Sequence, residues 1–326
     1  MHPSIEYSAE KKNVRQKTKD QVYSAAKELN FYALNSIEKS VTRHLRTIRL
    51  GILLQQSTRG FYKVLAQNLM IAANDRKDVD VKLSITHLDD LTTENFVNSL
   101  NKMSEYCDAI ALVAPQHALI SNAIDKIMTQ DIPIVGLITP LNSGANMSYV
   151  GLDHWQVGRT AAWAFDMMVK SPGKIGVLVG NHRYRNQELN ESGFRSYFRE
   201  HNEKFTILEP QTTYESSSVA REITENLLMA NPDMCGLFVS GGGITGAVTA
   251  LRQAKRRDDF ITIGYDLFDF TREALLDRTM QLVISHPMKA LAYESINLLI
   301  KLAINEDTNS TQNIFLPFEL YTPENV

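Results

Sequence analysis

Short apolar runs alternate with amphipathic stretches along the chain from residue 48 onward. The apolar runs are rich in Val, Ile and Leu, which is typical of strands that are buried on both faces. They predict strands over Arg49–Leu54, Val81–Thr86, Ala109–Ala114, Ile132–Ile138, Ser148–Leu152, Lys174–Val179, Phe205–Leu208, Cys235–Ser240, Ile261–Tyr265 and Leu282–Ser285. Strands that alternate with helices form parallel sheets covered by helices, so the pattern predicts an α/β fold.

The amphipathic stretches between these strands carry apolar residues at helical spacing. They predict helices over Tyr62–Ala73, Asn95–Met103, Ala118–Met128, Gln156–Val169, Gly193–Glu200, Ser218–Met229, Thr245–Gln253 and Phe270–Leu276. A break at Ser171-Pro172-Gly173 divides the series into two halves. We therefore expect two doubly wound parallel-sheet lobes.

The first 46 residues have a different pattern. Thr18 and Gln21 have the spacing of a capping box, and apolar residues follow from Val22 to Leu29 at helical spacing. This pattern predicts a short helix over 19–30 and a second helix over 35–43. Neither helix can bury much surface alone, so the segment is expected to form a short N-terminal helical head.

The composition is that of an ordinary globular protein. Of the 326 residues, 44% are apolar and 22% are charged, which excludes global disorder and fibrous repeats. No apolar run is long enough for a membrane span, and Met1–Lys12 lacks the apolar region of a secretory signal. Cys107 and Cys235 have none of the spacings of a metal site or a disulfide framework. The chain is thus expected to be cytoplasmic and without a membrane partner.

Charge is distributed unevenly around a net charge of −3. Residues 1–49 carry ten Lys or Arg against five acids, a net charge of +5, and the remaining residues carry −8. A basic head on an acidic body is typical of a protein that meets a polyanion at one end. A solubilising helical tail would have the same charge, so charge alone leaves both interpretations open.

Ligands of open α/β sheets bind beyond the carboxyl ends of the strands. Asp153 and Asp266 each follow a predicted strand, where a carboxylate can accept hydrogen bonds from the hydroxyls of a sugar. Capping of the next helix is the alternative for both residues. Phe61 and Tyr62 are candidates for stacking on a ring, with core packing as the alternative.

A glycine-rich loop, Ser240-Gly241-Gly242-Gly243, follows another predicted strand. It resembles a phosphate cradle, but it lacks the lysine and the spacing of nucleotide-binding loops. A tight turn or the close approach of a ligand is the favoured interpretation. His182, Arg183 and Arg185 form a further candidate, either for an anionic ligand or as a solvated loop.

Catalysis has little support in the sequence. It contains no GxSxG elbow, no HExxH motif and no cysteine with a paired base. Asp153 and Asp266 fall in different lobes, which favours clamping of a ligand over a fixed acid/base pair. We therefore expect no catalytic residues, no metal and no cofactor.

Several motifs, each weak alone, recur in a specific order. Residues 14–41 contain a Val-x-x-Lys-Thr start followed by Ser-Ala-Ala-Lys-Glu-Leu-Asn-Phe-Tyr. The body from Ile48 to about Phe318 contains Phe61-Tyr62, Val150-Gly-Leu-Asp153, Gly158-Arg159, Gly193-Phe194, Ile263-Gly-Tyr-Asp266 and His286-Pro287. In order and spacing the chain resembles the lactose-repressor (LacI) family of transcriptional regulators.

This resemblance implies a DNA-binding transcriptional regulator with a two-lobed, type I periplasmic-binding-protein-like sensor domain. Residues 1–46 would form a partial DNA-binding head and hinge helix, and residues 47–326 the effector-binding domain. One lobe is expected over about 47–170 plus 288–304, and the other over about 171–287 plus 305–326.

The resemblance also implies operator DNA, a small sugar-like effector and a homodimer as partners. The candidate DNA contacts are Asn35, Ser36, Lys39 and Val41. The candidate ligand-binding residues are Phe61, Tyr62, Gln116, Asp153, Arg185, Asn190, Ser240, Asp266 and His286.

The chain departs from the family pattern at functional positions. Met1–Lys12 shows no helix pair like the one that enters the major groove. The hinge has Leu34 where the family has proline and Val41 where the family has a leucine wedge. Asn190 stands where the family commonly has a ligand-binding arginine. The alternative is a solute-binding protein of a sugar transporter, which shares the two lobes, although the basic head argues against it.

Overall fold

The computed structural model of the protein describes residues 16–29, 31, 45–144, 147–201, 204–304 and 311–326. The chain divides into one unit of Met1–Thr47 with Lys77–Asp80 and another of Ile48–Arg76 with Val81–Val326. The smaller unit contains helix α1, Gln16–Glu28, close to the predicted helix over 19–30. The predicted helix over 35–43 and the candidate DNA contacts lie outside the described residues.

The alternation of strands and helices extends through the larger unit. The strands are β1 Thr47–Gln55, β2 Asp80–Leu88, β3 Ala109–Leu112, β4 Ile134–Leu137, β5 Ser148–Leu152, β6 Gly173–Val179, β7 Phe205–Ile207, β8 Gln211–Thr212, β9 Met234–Val239, β10 Ile261–Tyr265, β11 Leu282–Ser285, β12 Asn313–Leu316 and β13 Glu319–Tyr321. The helices are α2 Gly60–Asn74, α3 Thr93–Ser104, α4 Ala118–Met128, α5 His154–Met168, α6 Arg185–His201, α7 Ser217–Ala230, α8 Ile244–Gln253, α9 Asp269–Leu276 and α10 Met288–Ala303.

The strands form two sheets. Within the described residues, one sheet has six strands in the order β12-β5-β4-β3-β1-β2, and the other has seven in the order β13-β11-β10-β9-β6-β7, with β8 also pairing with β6. The central pairs of both sheets are parallel, and β13 runs antiparallel to β11. The predicted fold class, two parallel-sheet α/β lobes, is confirmed.

Burial on both faces explains why the strand signal was strong. In β6, Val177 and Val179 pack into a core with Phe165 and Phe194 on one face of the second sheet. Leu178 packs into a separate core on the opposite face. Such a strand needs apolar residues at successive positions, so it produces a continuous apolar run.

The end of the chain differs from the sequence expectation. Residues 305–326 were predicted in the second lobe, but β12 pairs with β5 in the first sheet before β13 joins the second. Helix α10, which was not among the predicted helices, packs against α2 and β3. Its buried residues, such as Leu291, Leu298 and Ile300, do not fall on one narrow stripe, so the amphipathic period is weak. None of the helices in the described ranges is long and apolar enough to cross a membrane.

Helices α5 and α6 meet at two glycines. A side-chain carbon at Gly158 would overlap the carbonyl oxygen of Asn190, and one at Gly193 would overlap the carbonyl oxygen of Trp155. Both glycines therefore allow the two helix backbones to touch.

We expect Gly158→Ala to destabilise the second lobe by about 1–3 kcal/mol, because the added methyl forces the helices apart. Gly60→Ala is the matched control, since a side-chain carbon there has no neighbour within 4 Å. Urea unfolding followed by tryptophan fluorescence measures both variants. Equal stability of Gly158→Ala and wild type would contradict the close packing.

Candidate functional site

A cavity of about 420 Å³ lies at the carboxyl ends of strands from both sheets. Its lining includes residues that follow β1, β4, β9, β10 and β11, as expected for a parallel α/β protein. The volume falls within the range of small-molecule sites. The site is therefore a cleft between the two lobes of the larger unit.

The two lobes touch each other around this cleft. The Gln116 N–H of the first lobe donates to the Arg183 carbonyl of the second at 2.7 Å. The Asn186 N–H donates to Thr139 Oγ1 at 3.3 Å. The structure therefore has a closed cleft, in which a bound molecule would be shielded from water.

Asp266 is held by the end of β11. Its Oδ1 accepts hydrogen bonds from the His286 N–H at 2.9 Å and from His286 Nδ1 at 2.8 Å. No residue in the described part of the chain donates to Oδ2, and Asp266 lines the cavity. The second carboxylate oxygen is thus the acceptor left for a ligand.

His286 also lines the cavity. In the neutral ring, Nδ1 donates to Asp266 and Nε2 carries the lone pair of an acceptor. This Nε2 is buried and has no partner among the described residues, as is true of Ser240 Oγ and Asn186 Oδ1, whose residues also line the cavity. Buried polar atoms are normally satisfied, so these three atoms mark polar positions in the wall of the cavity.

Aromatic rings form part of the wall. Phe61 meets the His286 ring edge-on, with 5.3 Å between centroids, and Tyr62 meets Phe61 at 5.0 Å. Tyr184, Tyr265 and Phe268 also line the cavity. Aromatic faces beside hydrogen-bonding groups suit a molecule with both apolar and hydroxylated surfaces.

Arg59 and Glu215 form an ion pair across the cleft. Arg59 Nη2 lies 2.9 Å from Glu215 Oε2, and Gln187 Nε2 donates to Glu215 Oε1 at 2.7 Å. Burial lowers the pKa of Arg59, but the combined electrostatic effects of Glu215, Tyr62, Tyr184 and Asp266 raise this pKa overall. Arg59 is therefore occupied by Glu215, whereas Asp266 has His286 as its partner.

His154 lies at the junction of the two lobes. Its Nε2 donates to the Ile138 carbonyl at 2.7 Å, and its ring lies 6.0 Å from that of His286. Burial, with a smaller contribution from His286, lowers the pKa of His154 to about 3. The imidazole is therefore neutral in the folded protein at neutral pH.

This burial predicts a loss of stability in acid. The unfolded chain binds a proton at His154 below pH about 6.5, whereas the folded chain does not until pH about 3. His154 should therefore lower the free energy of unfolding by on the order of 2 kcal/mol between pH 7 and pH 4.5. Urea unfolding at both pH values should show weaker pH dependence for His154→Gln than for wild type. The exposed His182→Gln should retain the wild-type dependence, and an unchanged dependence in His154→Gln would contradict the assignment.

The structure brings five of the predicted ligand-binding residues to the cavity: Phe61, Tyr62, Ser240, Asp266 and His286. The other four are not among the lining residues. Asp153 caps α5 by accepting from the Gln156 N–H at 3.1 Å, which is the capping alternative.

The remaining three lie in other roles. Arg185 pairs with Glu188 on the same helix at 2.8 Å. Asn190 is buried and accepts from the Tyr265 hydroxyl at 2.8 Å. Gln116 contacts the second lobe through its backbone N–H.

Sequence reasoning missed Arg59, Gln187 and Glu215. Arg59 directly precedes α2, but only its aromatic neighbours Phe61 and Tyr62 were singled out. Glu215 follows Thr213 in a turn that no strand signal marked, because β8 has only two residues. Its positive φ of 62° is a feature of the backbone that the sequence does not reveal.

Comparison with known proteins identifies the larger unit. The periplasmic binding protein domain family matches residues 50–307. The chain is 20% identical over 205 residues to a D-apiose import binding protein of Paraburkholderia graminis, which covers 63% of this chain and 65% of that protein. It is 23% identical to a protein of the same description from Actinobacillus succinogenes, covering 60% and 62%. The match thus spans less than two thirds of either relative.

Solved structures share the fold. A periplasmic solute binding protein of an ABC transporter from Actinobacillus succinogenes, with bound D-allose, superposes with a TM-score of 0.75 at 23% identity, covering 85% of this chain and 98% of that one. GanP, a glucose-galactose binding protein from Geobacillus stearothermophilus, gives a TM-score of 0.78 at 17% identity, and the match covers 86% of this chain and 99% of that one. A solute binding protein from Agrobacterium vitis with bound D-fucose gives 0.75 at 21% identity, covering 85% and 96%.

These findings correct the functional prediction. The prediction of a DNA-binding LacI-type regulator is wrong, because the relatives are import binding proteins. The cytoplasmic location is overturned by the same relatives and by a structure described as periplasmic.

The predicted DNA partner and homodimer are not supported either. The homodimer was expected because a two-fold symmetric operator matches a two-fold symmetric protein. That reason no longer applies once the regulator function is rejected. Among the motifs that suggested a regulator, Gly158 and Gly193 serve helix packing in this fold. The relatives are binding proteins and not enzymes. The chain belongs to the periplasmic binding protein domain family.

Proposed function

We propose that the cleft binds a sugar and that the protein is the solute-binding component of a sugar importer. The observation that carries the proposal is the pairing of Asp266 with His286 at the cavity wall, which leaves Asp266 Oδ2 without a donor among the described residues and His286 Nε2 as an acceptor in the neutral ring. Two hydroxyl groups of a sugar can donate to such a pair. The names of the relatives support the same interpretation.

The closed cleft favours this function. A sugar that bridges the two lobes stabilises the closed state by its differential affinity for that state. The cavity combines these acceptors with Ser240 Oγ, which can both donate and accept, and with the ring of Phe61. A binding protein needs only such contacts and no reacting group.

A thermal-shift screen tests the proposal. The panel is D-allose, D-glucose, D-galactose, D-fucose, D-arabinose and D-apiose, with calorimetric titration of any sugar that raises Tm. A sugar at 100 times its Kd should stabilise the protein by about 2.7 kcal/mol. Saturable binding of one sugar per chain supports the proposal, and a flat response to every sugar of the panel would count against it.

A further inference from the structure

The carboxylate of Glu215 fills the glycine-rich loop after β9 from within the protein. The Glu215 side chain is only 6% exposed. Its oxygens lie against Gly180 and Gly242, where an added side-chain carbon would overlap the carboxylate. The space beside Gly242 of the loop that resembles a phosphate cradle is therefore already occupied by an anionic group of the chain itself.

Arg59 from the opposite lobe neutralises this carboxylate. Its Nη2 lies 2.9 Å from Oε2, and its Cζ lies 5.2 Å from the centroid of the Tyr62 ring. Gln187 holds the other oxygen, and the amide of Gln187 is oriented by the N–H groups of Gly180 and Asn181 at 2.6 and 2.9 Å. The carboxylate thus has a built site with fixed partners on both sides.

The backbone is strained where it delivers Glu215. Tyr214 and Glu215 have φ values of 51° and 62°, in the left-handed region that residues with a side chain rarely adopt. Thr213 anchors the turn by donating from Oγ1 to the Gly242 carbonyl at 2.7 Å. Strain of this kind persists where the surrounding structure enforces it and is concentrated at functional sites.

We propose that Glu215 is a specificity residue, which occupies the anion position of the cleft and keeps Arg59 from binding an anionic ligand. The proposal rests on the sugar-binding function proposed above and narrows the ligand to uncharged sugars. A sugar acid or sugar phosphate would have to displace Glu215 from Arg59 and would then face the carboxylates of Glu215 and Asp266. Repulsion of this kind is a common means of excluding the wrong ligand.

The test compares neutral and anionic probes on three proteins. The probes are the sugar that binds in the panel, D-galacturonate, D-glucuronate and inorganic phosphate. Calorimetric titration should show that wild type binds the neutral sugar at least tenfold more tightly than any anion. Glu215→Gln releases Arg59 and should bind at least one anion tenfold or more tightly than wild type does.

Two further variants test the cause of this gain. Glu188→Gln removes the same charge from an ion pair outside the cavity lining and should leave anion binding unchanged. Arg59→Gln combined with Glu215→Gln should lose the gain, because the released cation is then missing.

The outcomes separate the two proposals. If wild type binds no neutral sugar of the panel, the proposed function fails. If wild type binds the sugar but Glu215→Gln gains no affinity for any anion, the role of Glu215 is overturned and the sugar-binding function stands. If Glu215→Gln does not fold, the affinities of wild type for the neutral and anionic probes decide. Equal affinities for both kinds of probe would overturn the specificity role of Glu215.

Discussion

Asp266→Asn should weaken sugar binding by about 100-fold while leaving the unliganded protein folded. Asparagine tolerates the left-handed backbone at this position, where φ is 58°. Its Oδ1 can still accept from the His286 N–H, which places the Nδ2 donor where Asp266 has the Oδ2 acceptor. A hydrogen bond to a charged group contributes about 1.5–3 kcal/mol, and each 1.4 kcal/mol is a tenfold change in Kd.

Calorimetric titration with the sugar from the panel measures this loss, and the Tm of the free protein measures folding. Asp153→Asn is the matched control, because Asp153 caps α5 outside the cavity lining and asparagine caps helices equally well. Equal losses of affinity in both variants, or an intact affinity in Asp266→Asn, would remove Asp266 from the site.

Phe194→Ala should destabilise the second lobe by about 3–5 kcal/mol, the range for a fully buried phenylalanine. Phe194 is 0% exposed and stacks on Phe238 with 4.9 Å between ring centroids. It also meets Phe165 and Phe198 edge-on at 5.7 and 5.2 Å. Truncation leaves a cavity among the rings of Phe165 on α5, Phe198 on α6 and Phe238 on β9.

Trp155 and Trp163, the two tryptophans of the chain, lie on α5 and report on this lobe by fluorescence. Urea unfolding should show this loss in the free energy of unfolding for Phe194→Ala. Phe315→Ala should lose less than about 1 kcal/mol, because Phe315 is 57% exposed. A small effect of Phe194→Ala would contradict the assigned core.

Predictions from the sequence succeeded where one local signal sets the structure. Strands such as β6 and β9 are buried on both faces, and the residues directly after β10 and β11 lie at the cavity because the strands are parallel. The place of Asp266 and His286 at the cavity could therefore be predicted from their position after a strand.

Predictions failed where the outcome depends on the direction of a side chain or on distant partners. Asp153 also follows a strand, but its carboxylate turns back to cap α5. The pairing of Arg59 with Glu215 depends on the approach of the two lobes, which no local pattern encodes. The motifs of the body that suggested a regulator belong to the two-lobed fold, which binding proteins share, so they could not distinguish the two functions.

A crystal structure of the protein with the sugar identified by the panel would show whether the cleft is the binding site. We expect one sugar in the cavity, with hydroxyl oxygens within hydrogen-bond distance of Asp266 Oδ2 and His286 Nε2 and with the Arg59–Glu215 pair intact. A sugar bound elsewhere on the protein, or one that leaves both acceptors without a partner, would contradict the account.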